Sequence, residues 1–156
     1  MKVKLLNMNF PLILCGLVST NAYALGRTIE YPEVVNDYFA TIQHISICGE
    51  YHKNDKFGQY RLIQSHLYGG EMIFVDQVEY IDSQFKVIKG FTFSEINNNH
   101  AELSLVDLSC HVENNSSVII TGNVDGSGHD DNNKYHFTLT LDIYNGNYIF
   151  KEKSIH

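Results

Sequence analysis

From His44 to Lys151 the chain alternates apolar and polar residues with a period of two, and this restricts the fold more than any other feature. Successive side chains of an extended strand point to opposite faces, so each alternating run needs one face in a core. The cleanest run puts Tyr135, Phe137, Leu139, Leu141 and Ile143 on one side, against Lys134, His136, Thr138, Thr140 and Asp142. Earlier strands are expected over His44–Cys48, Gln59–Tyr68, Glu71–Ile81, Phe85–Ile96, His100–Glu113 and Val118–Val124. Clusters of Gly, Asn, Asp and Ser separate them. Gly69-Gly70 reads as a two-residue hairpin link, and Asn145-Gly146 as a type I′ turn pair.

Within His100–Glu113 the phase slips. Leu103 and Leu105 fall on one face and Val106, Leu108, Cys110 and Val112 on the other, which predicts a β-bulge or a bend onto a second sheet. One segment has helical spacing instead, Pro32 to Ile42, with Val34, Val35, Tyr38, Phe39 and Ile42 along one side. Pro32 suits the first helical position and Glu33 the positive end of the dipole. The expected fold is mainly β, an antiparallel meander forming a sandwich or small barrel with this one N-terminal helix packed on it.

Lys2 and Lys4, an apolar stretch from Phe10 to Val18, and Ala22-Tyr23-Ala24 follow in the order of a cleavable secretory signal. The apolar stretch is about half the roughly 20 residues that cross a bilayer. A signal peptide over residues 1–24 and a single β-rich domain over 25–156 are expected, with a periplasmic or secreted location and no membrane span after cleavage. Leu14 stands before Cys15 where a lipid-attachment site would carry a small residue. Once Cys15 leaves, Cys48 and Cys110 remain, and an even pair in an oxidising compartment reads as one disulfide, two separately buried thiols being the alternative. Eighteen acidic residues against eleven basic ones give a net charge of −7, which disfavours nucleic acid and anionic membranes as partners.

Catalytic signals are sparse. The eight histidines include no His-x-x-x-His pair and no neighbouring Cys-x-x-Cys, so a zinc site would need a coincidence across strands. The segment from Asp125 to Asn133 gathers Asp125, Ser127, Asp130 and Asp131, oxygen donors of the kind Ca²⁺ prefers, but it lacks the closing Glu of an EF-hand. A solvated hairpin loop explains the same composition. No Gly-x-Ser-x-Gly elbow is present, and the reading is a non-enzymatic protein that needs no cofactor. Tyr51, Phe57, Tyr60 and Tyr68 lie near the first hairpin, where they form either a contact patch or ordinary packing around the disulfide.

The order of helix, then strand ending in cysteine, at Tyr31-Pro-Glu-Val-Val-Asn-Asp-Tyr-Phe-Ala-Thr-Ile-Gln-His-Ile-Ser-Ile-Cys48 resembles the opening of VirK-type proteins. The stretch Tyr68-Gly-Gly-Glu-Met-Ile-Phe-Val-Asp-Gln-Val-Glu-Tyr80 is similar to that family's next segment. The resemblance implies a small exported bacterial protein associated with virulence, and it carries over no catalytic residues. Ile42-Gln43 stands where the family has a glycine, and Cys110 has no counterpart in the pattern. The functional expectation is an exported accessory or binding protein that contacts another envelope or secreted protein. The alternatives are a small-ligand-binding β-barrel protein and an inhibitor or immunity protein of a secreted enzyme.

Overall fold

The computed structural model describes residues 30–32, 41–53, 55–67, 69–98, 102–128 and 130–155, apart from the side chains at 53, 130 and 131. The expected signal, positions 33–40 of the expected helix, and Tyr68 lie outside the described residues.

Eight strands follow one another: β1 Thr41–Lys53, β2 Lys56–Leu67, β3 Gly70–Ile81, β4 Gln84–Phe91, β5 Leu103–Glu113, β6 Ser117–Ser127, β7 Asp130–Asp142 and β8 Tyr148–Ser154. They form two antiparallel four-stranded meanders, β1-β2-β3-β4 and β5-β6-β7-β8. Neither sheet closes on itself among the described residues, so the sandwich holds and the barrel does not. Thr41 and Ile42 open β1, paired with His66 and Ser65, so the expected helix does not reach Ile42. Both residues are β-branched and suit a pleated surface next to the alternation that follows.

The inner faces of the sheets meet in one core. Leu62, Ile73, Val75 and Phe91 of the first sheet are buried together with Leu105, Val118, Ile120, Phe137, Leu139 and Leu141 of the second. The Cys48–Cys110 disulfide joins β1 to β5 with 4.9 Å between the Cα atoms. The phase slip in β5 is a bulge between Val106 and Ser109, with Asp107 at φ 55°. The extra residue returns Leu108, Cys110 and Val112 to the core face used by Leu103 and Leu105 and leaves Val106 exposed.

Other details also differ from the expectation, among them the ends of β1 and β2, which run to Lys53 and from Lys56. β4 stops at Phe91, because Phe93 and Ile96 enter the core from a turn in which the Asn97 N–H donates to the Phe93 carbonyl at 2.8 Å. The segment from Asp125 to Asn133 is mostly strand, the tip of the β6–β7 hairpin, with Asp125 opposite Lys134 and Ser127 opposite Asp130. Asn145-Gly146 belongs to a five-residue connection rather than a type I′ pair. The Asp142 carboxylate accepts the N–H groups of Tyr144 and Asn145, and only Gly146 takes a positive φ, 79°. Among the described residues no helix is long and apolar enough to cross a membrane.

Candidate functional site

The first sheet has an outer face, turned away from the core, whose side chains line up in rows across the strands. One row runs Ile45, Ile63, Phe74 and the next Ile47, Arg61, Asp76, Gly90. Arg61 donates from Nε to Asp76 Oδ1 at 2.8 Å and from Nη2 to Asp76 Oδ2, a two-point pair around a carboxylate that is fully buried. The Tyr31 hydroxyl donates to the same carboxylate at 2.9 Å, and its ring meets Phe74 edge-on. Burial and the adjacent Asp76 charge hold the Tyr31 phenol protonated well above the usual tyrosine range. Gly90 is required here, since a Cβ would lie 2.3 Å from the Tyr31 ring.

Toward the hairpin tips the outer face becomes aromatic. His52 pairs with Phe57 and Tyr80 with Phe85, and the Phe57 and Tyr80 rings stack at 4.9 Å. The result is a ladder His52, Phe57, Tyr80, Phe85 that crosses all four strands, its outer rings at 6.2 Å from Phe57 and 5.3 Å from Tyr80. Phe57, Tyr80 and Phe85 are 41%, 39% and 55% exposed, and Val87 beside them is also exposed. Asp82 and Ser83, at φ 53° and 65°, make the tight turn that sets Tyr80 opposite Phe85.

The four aromatic residues singled out in the sequence do not form one patch. Phe57 belongs to the ladder, Tyr51 and Tyr60 are buried on the inner face with rings 5.2 Å apart, and Tyr68 lies outside the described residues. Phe57 and Tyr60 are three residues apart on β2, an odd spacing that puts them on opposite faces. The Tyr51 hydroxyl donates to Glu79 at 3.3 Å, and Lys56 Nζ reaches the other carboxylate oxygen at 2.8 Å. Gly58 makes room for this arrangement, since a Cβ there would meet the Tyr51 ring at 2.8 Å.

Asp125 and Ser127 lie on β6, and Asp130 and Asp131 on β7. Lys134 Nζ lies 2.6 Å from the Asp125 carboxylate, so that oxygen already faces a cation of the chain itself. Among the described residues no three His, Cys, Asp or Glu side chains group as a metal site. Comparison with protein-family models, characterised proteins and solved structures finds no match to this chain.

Proposed function

We propose that this is an exported accessory protein that binds another envelope or secreted protein through the aromatic ladder of its outer sheet face. The supporting observation is the display of Phe57, Tyr80 and Phe85 in one row, each well exposed although each ring carries a large apolar area. Cross-strand ring contacts stabilise a sheet only modestly and the ring area left in water adds nothing, whereas a partner that covers that area removes it from solvent. The disulfide is compatible with an oxidising compartment outside the cytoplasm. The chain's resemblance to VirK-type proteins agrees with this accessory role.

The test is affinity capture from native envelope and secreted extracts, at low and moderate salt, with the parent protein and a Phe57→Ser/Phe85→Ser variant side by side. A single stoichiometric partner held by the parent and lost by the variant, while both melt alike, supports the reading. A partner held equally by both, or none held by either, overturns it. Sedimentation of both proteins alone separates a foreign partner from a second copy of this chain.

A further inference from the structure

A second site opens on the other side of the first sheet, between the two sheets. Its volume is about 360 Å³, within the usual range for a small-molecule site. The floor is one cross-strand row of the inner face, Tyr60, Gln77 and Lys89, each the register partner of the next, with Tyr51 and His52 beside it. The roof comes from the second sheet's connections: Asn115 between β5 and β6, and Ile143 and Tyr144 between β7 and β8.

Two polar groups in this cleft have no hydrogen bond or ion pair among the described residues. Tyr60 is only 3% exposed, yet its hydroxyl has no hydrogen-bond partner among the described residues. Among the described residues no fully buried side-chain oxygen or nitrogen goes unbonded, so that hydroxyl meets the cleft. Burial beside Tyr51 and Tyr144 pushes its pKa up to about 12, which keeps it a donor at neutral pH. Lys89 is the second group. Its ammonium sits 4.6 Å over the Phe91 ring and extends toward Gly146 of the roof, and it forms no ion pair among the described residues. The nearby carboxylate of Glu79 is already held by Lys56 and Tyr51.

These groups decide the sign of the ligand. Three tyrosines around a cavity would suit an organic cation, but an unpaired ammonium in the same cleft repels one. The negative net charge of the chain is screened beyond about 8 Å at physiological salt, so the local ammonium governs short-range recognition. Tyrosine faces beside amide and hydroxyl donors suit a flat or chair-shaped ring. We infer that the cleft between the sheets binds a small ring compound bearing a carboxylate, with the carboxylate on Lys89 and Tyr60 and the ring against Tyr51 and Tyr144.

The test uses the purified protein labelled with ¹⁵N and three probes: glucuronate, benzoate and uncharged glucose. Saturable shifts of the Gln77, Lys89 and Asn115 amides with glucuronate or benzoate, and none with glucose, support the inference. Preference for glucuronate names a sugar acid as the ligand class, and preference for benzoate an aromatic acid. Lys89→Met is expected to weaken binding about ten-fold or more, and Tyr60→Phe about five-fold. Lys89 is a surface side chain and Tyr60→Phe keeps the ring, so both variants should melt close to the parent, and Phe85→Ser should bind as the parent does. The inference fails if neither acid saturates, if glucose binds as well as glucuronate, or if Lys89→Met binds unchanged. Of the ladder only His52 borders the cleft, and the docking variant changes Phe57 and Phe85 alone, so the two readings fail separately.

Discussion

The side-chain amide of Asn97 hydrogen-bonds both backbone groups of Ile73, accepting from its N–H at 3.0 Å and donating to its carbonyl at 2.7 Å. β4 leaves the sheet after Phe91 pairs with Val75, so these two groups on the buried, unpaired edge of β3 have no partner in β4. Asn97 replaces the missing strand residue, and a further bond to Thr92 Oγ1 at 2.9 Å fixes its orientation. Ile73 and Asn97 are both fully buried, so water does not substitute.

Asn97→Leu keeps the volume and leaves an N–H and a carbonyl buried without partners. At about 1–3 kcal/mol for each unsatisfied group, the loss should be about 2–6 kcal/mol, read as a lower urea midpoint with an unchanged slope. A loss under about 1 kcal/mol would show that the edge finds other partners.

How far the fold is legible from the chain depends on where each residue's burial comes from. Strict alternation over Tyr135 to Ile143 reports a half-buried strand directly, and β7 is found there. Phe93 and Ile96 continue the apolar pattern of β4 but are buried by a turn folded under Tyr148, a long-range contact that local periodicity does not encode. The β6–β7 hairpin tip reads as a loop because it is polar on both faces. The odd spacing of Phe57 and Tyr60 was already enough to divide the aromatic patch, and the symmetry of Tyr80 and Phe85 about Asp82-Ser83 to suggest their pairing. The cleft was not legible at all, since its floor comes from three strands and its roof from two loops of the other sheet.

The Asp76 carboxylate is fully buried and the Arg61 side chain largely so, and removing one partner strands the other. Asp76→Ala should cost about 3–5 kcal/mol, and Tyr31→Phe only about 1 kcal/mol because the carboxylate keeps its guanidinium. Denaturant melts of the two variants give the ratio directly. Equal losses would mean that Tyr31, and not Arg61, is what satisfies Asp76.

Alkaline pH should unfold the protein before it affects much else. Tyr31, Tyr51, Tyr60 and Tyr135 all have pKa values raised by burial, Tyr60 to about 12. An unfolded tyrosine titrates near 10, so the folded state resists losing these protons. Their contribution is complete below about pH 10 and falls as pH rises toward the folded values. The melting temperature should therefore be flat from neutral to about pH 9 and decline above pH 10, less steeply in Tyr60→Phe. An identical alkaline decline in Tyr60→Phe would remove Tyr60 from the cause.

The disulfide links β1 of one sheet to β5 of the other, across 62 residues of chain. Apart from this bond the sheets are held by side-chain packing and by polar links such as Glu71 of β3, whose carboxylate accepts the Leu105 N–H of β5. For a loop of about 60 residues the chain-entropy model gives roughly 4 kcal/mol from restricting the unfolded state, less any native-state strain. Cys48→Ala/Cys110→Ala should therefore keep the fold, because the core around Leu62, Val75, Ile120 and Leu139 is intact, but lose roughly that amount in urea. The parent treated with reductant should fall to the same midpoint. Agreement between the reduced parent and the double variant would assign the loss to the covalent link itself. A larger loss in the variant would instead point to the packing of the two sulfur atoms between the sheets.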